Sequence, residues 1–171
     1  MVFLKKARSL IEPGAIVACA ALGLSVWQGV VTEKYYRFSL QPLFTVVPYY
    51  QPQSRDKDGI ILTNAGPGVG KFKAITVTVN GKDYQGLGEN QWRTILNDAG
   101  YDEKCYGRAG WPRDGDVLMA GQQVVLLAEN NSCPDKPIYV EEEINVKIEY
   151  ESIHEERLVV DMPATFKNYI K

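Results

Sequence analysis

The spacing of apolar residues changes once along the chain. Residues 13–31 read PGAIVACAALGLSVWQGVV and contain no charged side chain. A helix of this length spans about 28 Å, close to the thickness of the hydrocarbon layer of a bilayer. Beyond residue 40, apolar residues alternate with polar ones or form short runs, as in β-strands. The pattern predicts a membrane anchor over residues 1–34 and a β-sandwich domain over residues 35–171.

Three interpretations of the N-terminal segment are open: a signal anchor, a cleaved signal peptide, and a lipoprotein signal centred on Cys19. The apolar run is long for a cleaved signal, and mostly apolar residues follow Cys19 where a lipoprotein would turn polar. Amphipathic rings, which suit the headgroup layer, gather near the far end of the run: Trp27, Tyr35, Tyr36 and Phe38. These features favour the anchor.

Charged residues on either side of the segment predict its orientation. Three cations precede it and two follow it: Lys5, Lys6 and Arg8, then Lys34 and Arg37. Because the more positive flank stays in the cytoplasm, we expect a cytoplasmic N-terminus and a domain outside the inner membrane.

Small residues recur along one face of the anchor. Ala15, Cys19 and Gly23 are spaced four apart, and small side chains let helix backbones approach closely in lipid. They form a candidate helix-pairing face, through which the chain would bind itself or another membrane protein.

The remainder of the chain predicts an Ig-like antiparallel β-sandwich with one short helix. Residues 72–79 alternate strictly, and Asn80-Gly81 is a strong hairpin signal. Trp92 begins a helical spacing within residues 89–100, and Gly100 is placed to end it. The predicted strands cover residues 43–50, 60–64, 72–79, 82–87, 122–128, 144–150 and 157–161.

The stretch Asn64–Lys71 looks at first like a phosphate-binding loop. That motif needs a glycine where this chain has Ala65 and a hydroxyl where it has Phe72. It also needs a helix after the lysine, and a strand is predicted there. We therefore expect no nucleotide, and attribute the glycines to a chain crossing that requires unusual backbone angles.

Four stretches make the chain resemble a widespread group of uncharacterised bacterial proteins with one N-terminal transmembrane helix and a small β-sandwich. They are residues 37–42, 64–68, 80–82 and 148–152. The resemblance implies the same fold and carries no activity. In that group the flanking charges often imply a cytoplasmic domain, which leaves the orientation open.

Composition and side-chain chemistry narrow the function classes. A net charge of −2 with 45% hydrophobic residues argues against disorder and against nucleic-acid binding. Ser152 and His154, the only histidine, lack the remaining parts of a catalytic triad. Asp114, Asp116 and residues 141–143 lack the spacing of a calcium loop, and zinc ligands are not clustered. We predict no catalytic, cofactor-binding or metal-binding residues.

The loop of residues 106–115 carries the candidate interaction residues. Arg108, Trp111 and Arg113 are of types favoured at binding hot spots. The alternative, which we favour for Trp111, is packing in the core beside a turn at Pro112.

The sequence thus favours a membrane-tethered interaction module, such as an accessory subunit of a membrane assembly, with no catalysis. The alternative is a small-ligand receptor or an enzyme whose site the sequence does not reveal. A deep polar pocket containing Arg108, Arg113 or His154 would favour the alternative.

Cys105 and Cys133 are the only cysteines outside the anchor, and an even count in an exported domain predicts a disulfide. Closing a loop of about 29 residues would stabilise the fold by roughly 3–4 kcal/mol. Two reduced thiols are the alternative, and are expected if the domain faces the cytoplasm.

We predict that an impermeant thiol reagent added to intact cells labels Cys105 and Cys133 only after treatment with a reductant. Such labelling would show both that the domain is exported and that the two cysteines form a disulfide. The Cys105→Ser, Cys133→Ser double variant measures the background. Labelling that is equally easy without reductant would exclude the bridge.

Overall fold

The computed structural model describes residues 13–50, 58–129 and 144–162. The chain divides into two compact units, one ending at Ser39 and one beginning at Leu40. Residues 13–39, the described part of the first unit, form one helix. The second contains the β-strands, and we call it the β unit.

Helix α1, Pro13–Ser39, is exposed along its whole length. By length and composition it can cross a membrane, a criterion that a signal sequence near an N-terminus also satisfies. The helix continues past residue 34 because no glycine or proline interrupts residues 32–39. An ion pair of 2.9 Å joins Glu33 and Arg37 across one turn. Pro42 prevents further continuation, since the residue before a proline disfavours helical angles.

The β unit is an antiparallel sandwich of nine strands in the described residues. One sheet has the order β1-β2-β7-β5, and the other has the order β4-β3-β8-β9, with β6 also paired to β3. The strands are β1 Phe44–Tyr50, β2 Asp58–Asn64, β3 Gly70–Val79, β4 Lys82–Gln85, β5 Tyr106–Ala109, β6 Val117–Leu118, β7 Gln123–Glu129, β8 Ile144–Ser152 and β9 Arg157–Asp161. Helix α2, Trp92–Asp98, and a 3-10 helix, Glu103–Cys105, lie between β4 and β5.

One apolar core fills the space between the sheets. Strand β3 buries Ile75, Val77 and Val79, as its alternation predicts. A bulge after Phe72 shifts the register against β8, so Phe72 also points inward despite the odd spacing. The Phe44 ring of β1 stacks on Tyr150 of β8 with centroids 3.9 Å apart, which joins the two sheets.

The structure confirms the main elements that the sequence predicts, with two additions. Asn80 and Gly81 have φ values of 49° and 78°, as their hairpin turn requires. Helix α2 is shorter than residues 89–100, and Gly100 follows it with φ 81°. The prediction missed β5 and β6. Strand β6 has only two residues, which is too short to leave a period in the sequence.

The glycines after Asn64 are needed for a different reason from the one the sequence suggested. Gly66, Gly68 and Gly70 do not have positive φ values. At each of these glycines, atoms from another part of the chain occupy the space that a Cβ atom would need. A Cβ on Gly68 would lie 1.7 Å from the Leu40 carbonyl oxygen, and one on Gly66 would lie 2.4 Å from the Leu43 nitrogen. The loop is therefore glycine-rich because the segment that leaves α1 packs directly against it.

Asn64 holds this crossing together from inside the core, where it is fully buried. Its Oδ1 accepts hydrogen bonds from the backbone N–H groups of Leu43 and Gly66, both at 3.0 Å. Its Nδ2 donates to the carbonyl oxygens of Gly68 at 2.6 Å and Leu118 at 3.0 Å. One amide thus satisfies four backbone groups from three separate segments, and we call it the Asn64 hub.

We predict that Asn64→Ala lowers the free energy of unfolding by about 3 kcal/mol or more, since it leaves several buried backbone groups unpaired. Asn64→Asp should be at least as damaging at neutral pH, because a carboxylate would face the carbonyls of Gly68 and Leu118. Denaturation of the full chain in detergent measures both.

The control is Asn97→Ala, an exposed position on α2, where we expect a change within about 0.5 kcal/mol. If Asn64→Ala cost no more than Asn97→Ala, the hub would not be the structural centre we assign.

Candidate interaction surfaces

The outer face of the β4-β3-β8-β9 sheet carries a shallow groove of about 500 Å³, which we call the polar groove. It arises because β3 and β8 turn their apolar residues inward and so turn polar ones outward. Its lining is Ala74, Thr76, Thr78, Asp83, Gln85, Gly86, Asn145, Lys147, Glu149 and Asp161.

The polar groove is hydrogen-bonding and mildly acidic. Its lining holds one cation, Lys147, against three carboxylates. The Lys147 ammonium lies 3.5 Å from Glu149, and Thr78 donates to Asp83 at 2.7 Å. These contacts are at the surface, where water competes for them. The groove therefore offers donors and acceptors to a polar partner, and Ala74 contributes the one purely hydrocarbon side chain of its lining.

A second groove of about 310 Å³ lies beside α2. Trp92 forms its inner wall, and the Trp92 ring nitrogen donates to the Gly110 carbonyl oxygen at 2.7 Å. Arg93 and Glu103 form a two-contact ion pair at its rim, with one contact at 2.8 Å. The remaining lining residues are Asn90, Leu96, Lys104, Tyr106 and Ala109. Since its ring is hydrogen-bonded and buried, Trp92 mainly anchors the helix.

Ionic contacts fix the other end of α2 to strand β4. The Asp98 carboxylate accepts hydrogen bonds from Lys82, at 2.6 Å, and from the Tyr84 hydroxyl. The hydrogen bond from Lys82 is the main reason that the pKa of Asp98 is lowered. The pKa of Tyr84 is raised, chiefly by removal of its hydroxyl from water. In the same way, Arg93 lowers the pKa of the Glu103 carboxyl.

Trp111 and Arg113 of the predicted interaction loop lie in different environments. Trp111 is only 9% exposed and donates its ring N–H to the Gly86 carbonyl oxygen at 2.8 Å. It also meets the Trp92 ring edge-on at 5.8 Å, so the core-packing alternative describes it. Arg113 is exposed, and the Arg108 side chain lies outside the described residues. Binding through the arginines stays a prediction.

Ser152 and His154 form a turn. The buried Ser152 hydroxyl oxygen accepts hydrogen bonds from the backbone N–H groups of His154 at 3.1 Å and Glu156 at 3.3 Å. Glu155 between them has φ 62°. These bonds shape the connection from β8 to β9, and they use the hydroxyl oxygen that a nucleophile would need.

The acidic residues near Gly115 also form a turn. Asp116 accepts a hydrogen bond from the backbone N–H of Arg113 at 2.8 Å, and Gly115 has φ 87°. Residues 141–143 lie outside the described residues. Within residues 13–50, 58–129 and 144–162, no three His, Cys, Asp or Glu side chains are grouped as metal ligands would be.

The cysteines fall into two environments. Cys105 is buried and disulfide-bonded, whereas Cys19 is free and exposed on α1. Cys133 lies outside the described residues, so its pairing with Cys105 stays a prediction. Ala15 and Gly23 share the exposed surface of α1 with Cys19, and their role in helix pairing is likewise a prediction.

Sequence reasoning did not identify either groove. The alternation within β3 and β8 was visible, but it does not reveal that Thr78 lies opposite Asn145, or Thr76 opposite Lys147. That pairing brings residues distant in sequence to one surface. A groove of this kind can be found only once strand order and register are known.

No protein-family model matches the chain, and no curated protein or solved structure matches it. The resemblance to bacterial proteins with one membrane helix is therefore supported only as an architecture. That architecture is one apolar N-terminal helix followed by antiparallel β-sheets.

We predict that the ion pairs of α2 make the stability of the fold depend on pH in the acid range. A carboxyl whose folded-state pKa is lowered stabilises the fold above its ordinary pKa, 3.8 for Asp98 and 4.5 for Glu103. That contribution is lost as the pH falls through the lowered values. Thermal melting should therefore show Asp98→Asn and Glu103→Gln less stable than the wild type at pH 7.

The difference should shrink steadily as the pH falls below about 4. Asp114→Asn, at an exposed position, controls for the general loss of one negative charge. A difference between wild type and variants that stayed constant down to the lowest pH would contradict the linkage.

Proposed function

We propose that the protein is a single-pass membrane-tethered β-sandwich that binds another protein through the polar groove. The observation that carries the proposal is the direct junction between an apolar helix ending at Ser39 and a β unit beginning at Leu40. A partner in the same membrane assembly would meet a folded surface held beside the bilayer. In this role the protein is an accessory subunit and performs no catalysis.

The strand order supports an immunoglobulin-like assignment. With β6 set aside, the orders β1-β2-β7-β5 and β4-β3-β8-β9 correspond to A-B-E-D and C′-C-F-G. The cysteine pair and buried tryptophan of antibody domains have no counterpart, because β2, β3 and β8 contain neither residue type. Such sandwiches offer faces, edges and end loops for contacts, although the fold alone does not set a function.

The form of the surface favours a protein contact over a small ligand. A receptor or enzyme site is normally a concave, largely apolar cavity that encloses most of its ligand. The polar groove and the groove beside α2 are shallow, and neither is lined by Arg113 or His154. A shallow polar surface of this kind suits the polar rim of a protein interface.

The charges on either side of residues 13–31 support a cytoplasmic N-terminus with the β unit outside a bacterial inner membrane. Self-association through Ala15, Cys19 and Gly23 is compatible with the proposal, because these residues lie on α1 and do not line the polar groove.

We predict that the full chain, extracted in mild detergent after cross-linking, carries a partner that the variant Asn145→Arg loses. Asn145 is exposed in the polar groove, so a bulky cation there blocks contact without disturbing the core. Binding should weaken at least about tenfold, equivalent to about 1.4 kcal/mol.

The matched control is Asn97→Arg, which makes the same change at an exposed position on α2 outside the groove. The partner should remain with this variant. Equal recovery with both variants would place the contact elsewhere, and a chain that binds no partner but saturably binds a small molecule would support the alternative.

A further inference from the structure

The exposed apolar residues of the β unit gather at one end. Five large hydrophobic side chains of its described part are exposed, and all but Val159 lie at this end. We call the four the apolar rim: Leu43, Val117, Met119 and Ile153, which are 56%, 46%, 59% and 56% exposed. Scattered single residues would need no explanation, but a concentration of this kind marks a contact surface.

Hydrogen bonds and strand pairing show that these positions share one end. The Asn64 hub bonds to the Leu43 nitrogen and to the carbonyl oxygen of Leu118, which stands between Val117 and Met119. Leu118 lies opposite Gly70.

The fourth rim residue is connected through the neighbouring strand. Gly70 also lies opposite Ser152, the residue before Ile153. The four side chains therefore come from three chain segments that meet at the level of Gly70.

The chain enters the β unit from α1 at the same end. One peptide bond joins Ser39, the last residue of α1, to Leu40, the first residue of the β unit. Leu40 is already packed against Gly68, whose carbonyl accepts a hydrogen bond from Asn64. No flexible linker therefore separates α1 from the end that carries the apolar rim.

The length of α1 sets how far Leu40 lies from lipid if α1 spans a membrane. If residues 13–31 fill the hydrocarbon layer, residues 32–39 add about 12 Å of helix. The polar layer on each side of a bilayer is about 5–8 Å thick. Tyr35, Tyr36 and Phe38 are exposed on that last part of the helix and suit that layer. Leu40 therefore lies close to the outer boundary of the membrane.

We propose that the apolar rim inserts into the lipid headgroup region, so that the β unit rests on the membrane that anchors it. The charges near the rim are mixed, with Lys71 and Arg157 beside Glu151 and Glu155. Insertion therefore depends on apolar contact and does not require anionic lipid. The inference rests on the membrane tether of the proposed function.

The methionines provide a test within one molecule. The chain has three, Met1, Met119 and Met162. Met119 belongs to the apolar rim, whereas Met162 is buried and its backbone N–H bonds to Val146 on β8. Val146 lies about 20 Å along that strand from Ser152, at the end away from the rim.

The full chain, with ¹³C-methyl methionine, is placed in phosphatidylcholine nanodiscs that contain a lipid with a spin label near the headgroup. We expect the Met119 methyl signal to lose most of its intensity and the Met162 signal to keep it. Met119→Leu and Met162→Leu assign the two signals. Replacing Leu43, Val117 and Ile153 with serine should restore most of the Met119 signal, whereas Val159→Ser should not.

The possible results separate the two proposals. A chain that does not remain with the nanodisc refutes the tether. A chain that remains with the disc but keeps its full Met119 signal refutes the insertion of the rim and leaves the tether supported. Loss of signal that requires two chains per disc would make a second copy the occupant and also overturn the inference.

Discussion

The fold of the β unit depends on one buried side chain, the amide of Asn64. Strands at the end of a sandwich leave backbone groups without ladder partners, and burying such groups unpaired is costly. The Asn64 side chain supplies the missing partners for three segments: the one that leaves α1, the glycine loop and the β6 region. Its hydrogen bonds go to the backbone of Leu43, Gly66, Gly68 and Leu118. Aspartate lacks the donor, and glutamine would need a longer cavity. The shape of the hub therefore selects the residue.

The alternating and helical parts of the fold could be read from the sequence because local physics determines them. Val77 and Val79 bury one face of β3, Asn80 and Gly81 form its turn, and Gly100 follows α2. The Asn64 hub could not be read in this way. Its partner Leu118 is 54 residues away in the sequence. The hydrogen bond between them can form only when β6 lies beside β3. The glycines were recognised as necessary, but close packing and not backbone angle is the cause.

The candidate surfaces were less predictable than the fold. Trp111 and the two nearby arginines have the composition of a binding loop, yet the tryptophan is used in the core against Trp92. The polar groove has an ordinary composition and exists because β3 and β8 are neighbours. Residue type alone left Trp111 open between binding and core packing, with core packing favoured, and its contact with Trp92 agrees with core packing. Residue type gave no signal for the polar groove, whose threonine, asparagine and lysine residues are brought together by the strand register.

A shallow groove of about 500 Å³ is a weak binding site on its own. Polar groups at an exposed interface gain little over their contacts with water, and association in solution costs several kcal/mol of lost freedom. Confinement to a membrane changes this balance, because a partner in the same bilayer is held at a high effective concentration before any contact forms. A direct junction at Leu40 strengthens the effect, since a long flexible linker would dilute the tethered surface over a larger volume. In the proposed function the anchor and the modest groove therefore act together, and tethering supplies the association that the groove lacks.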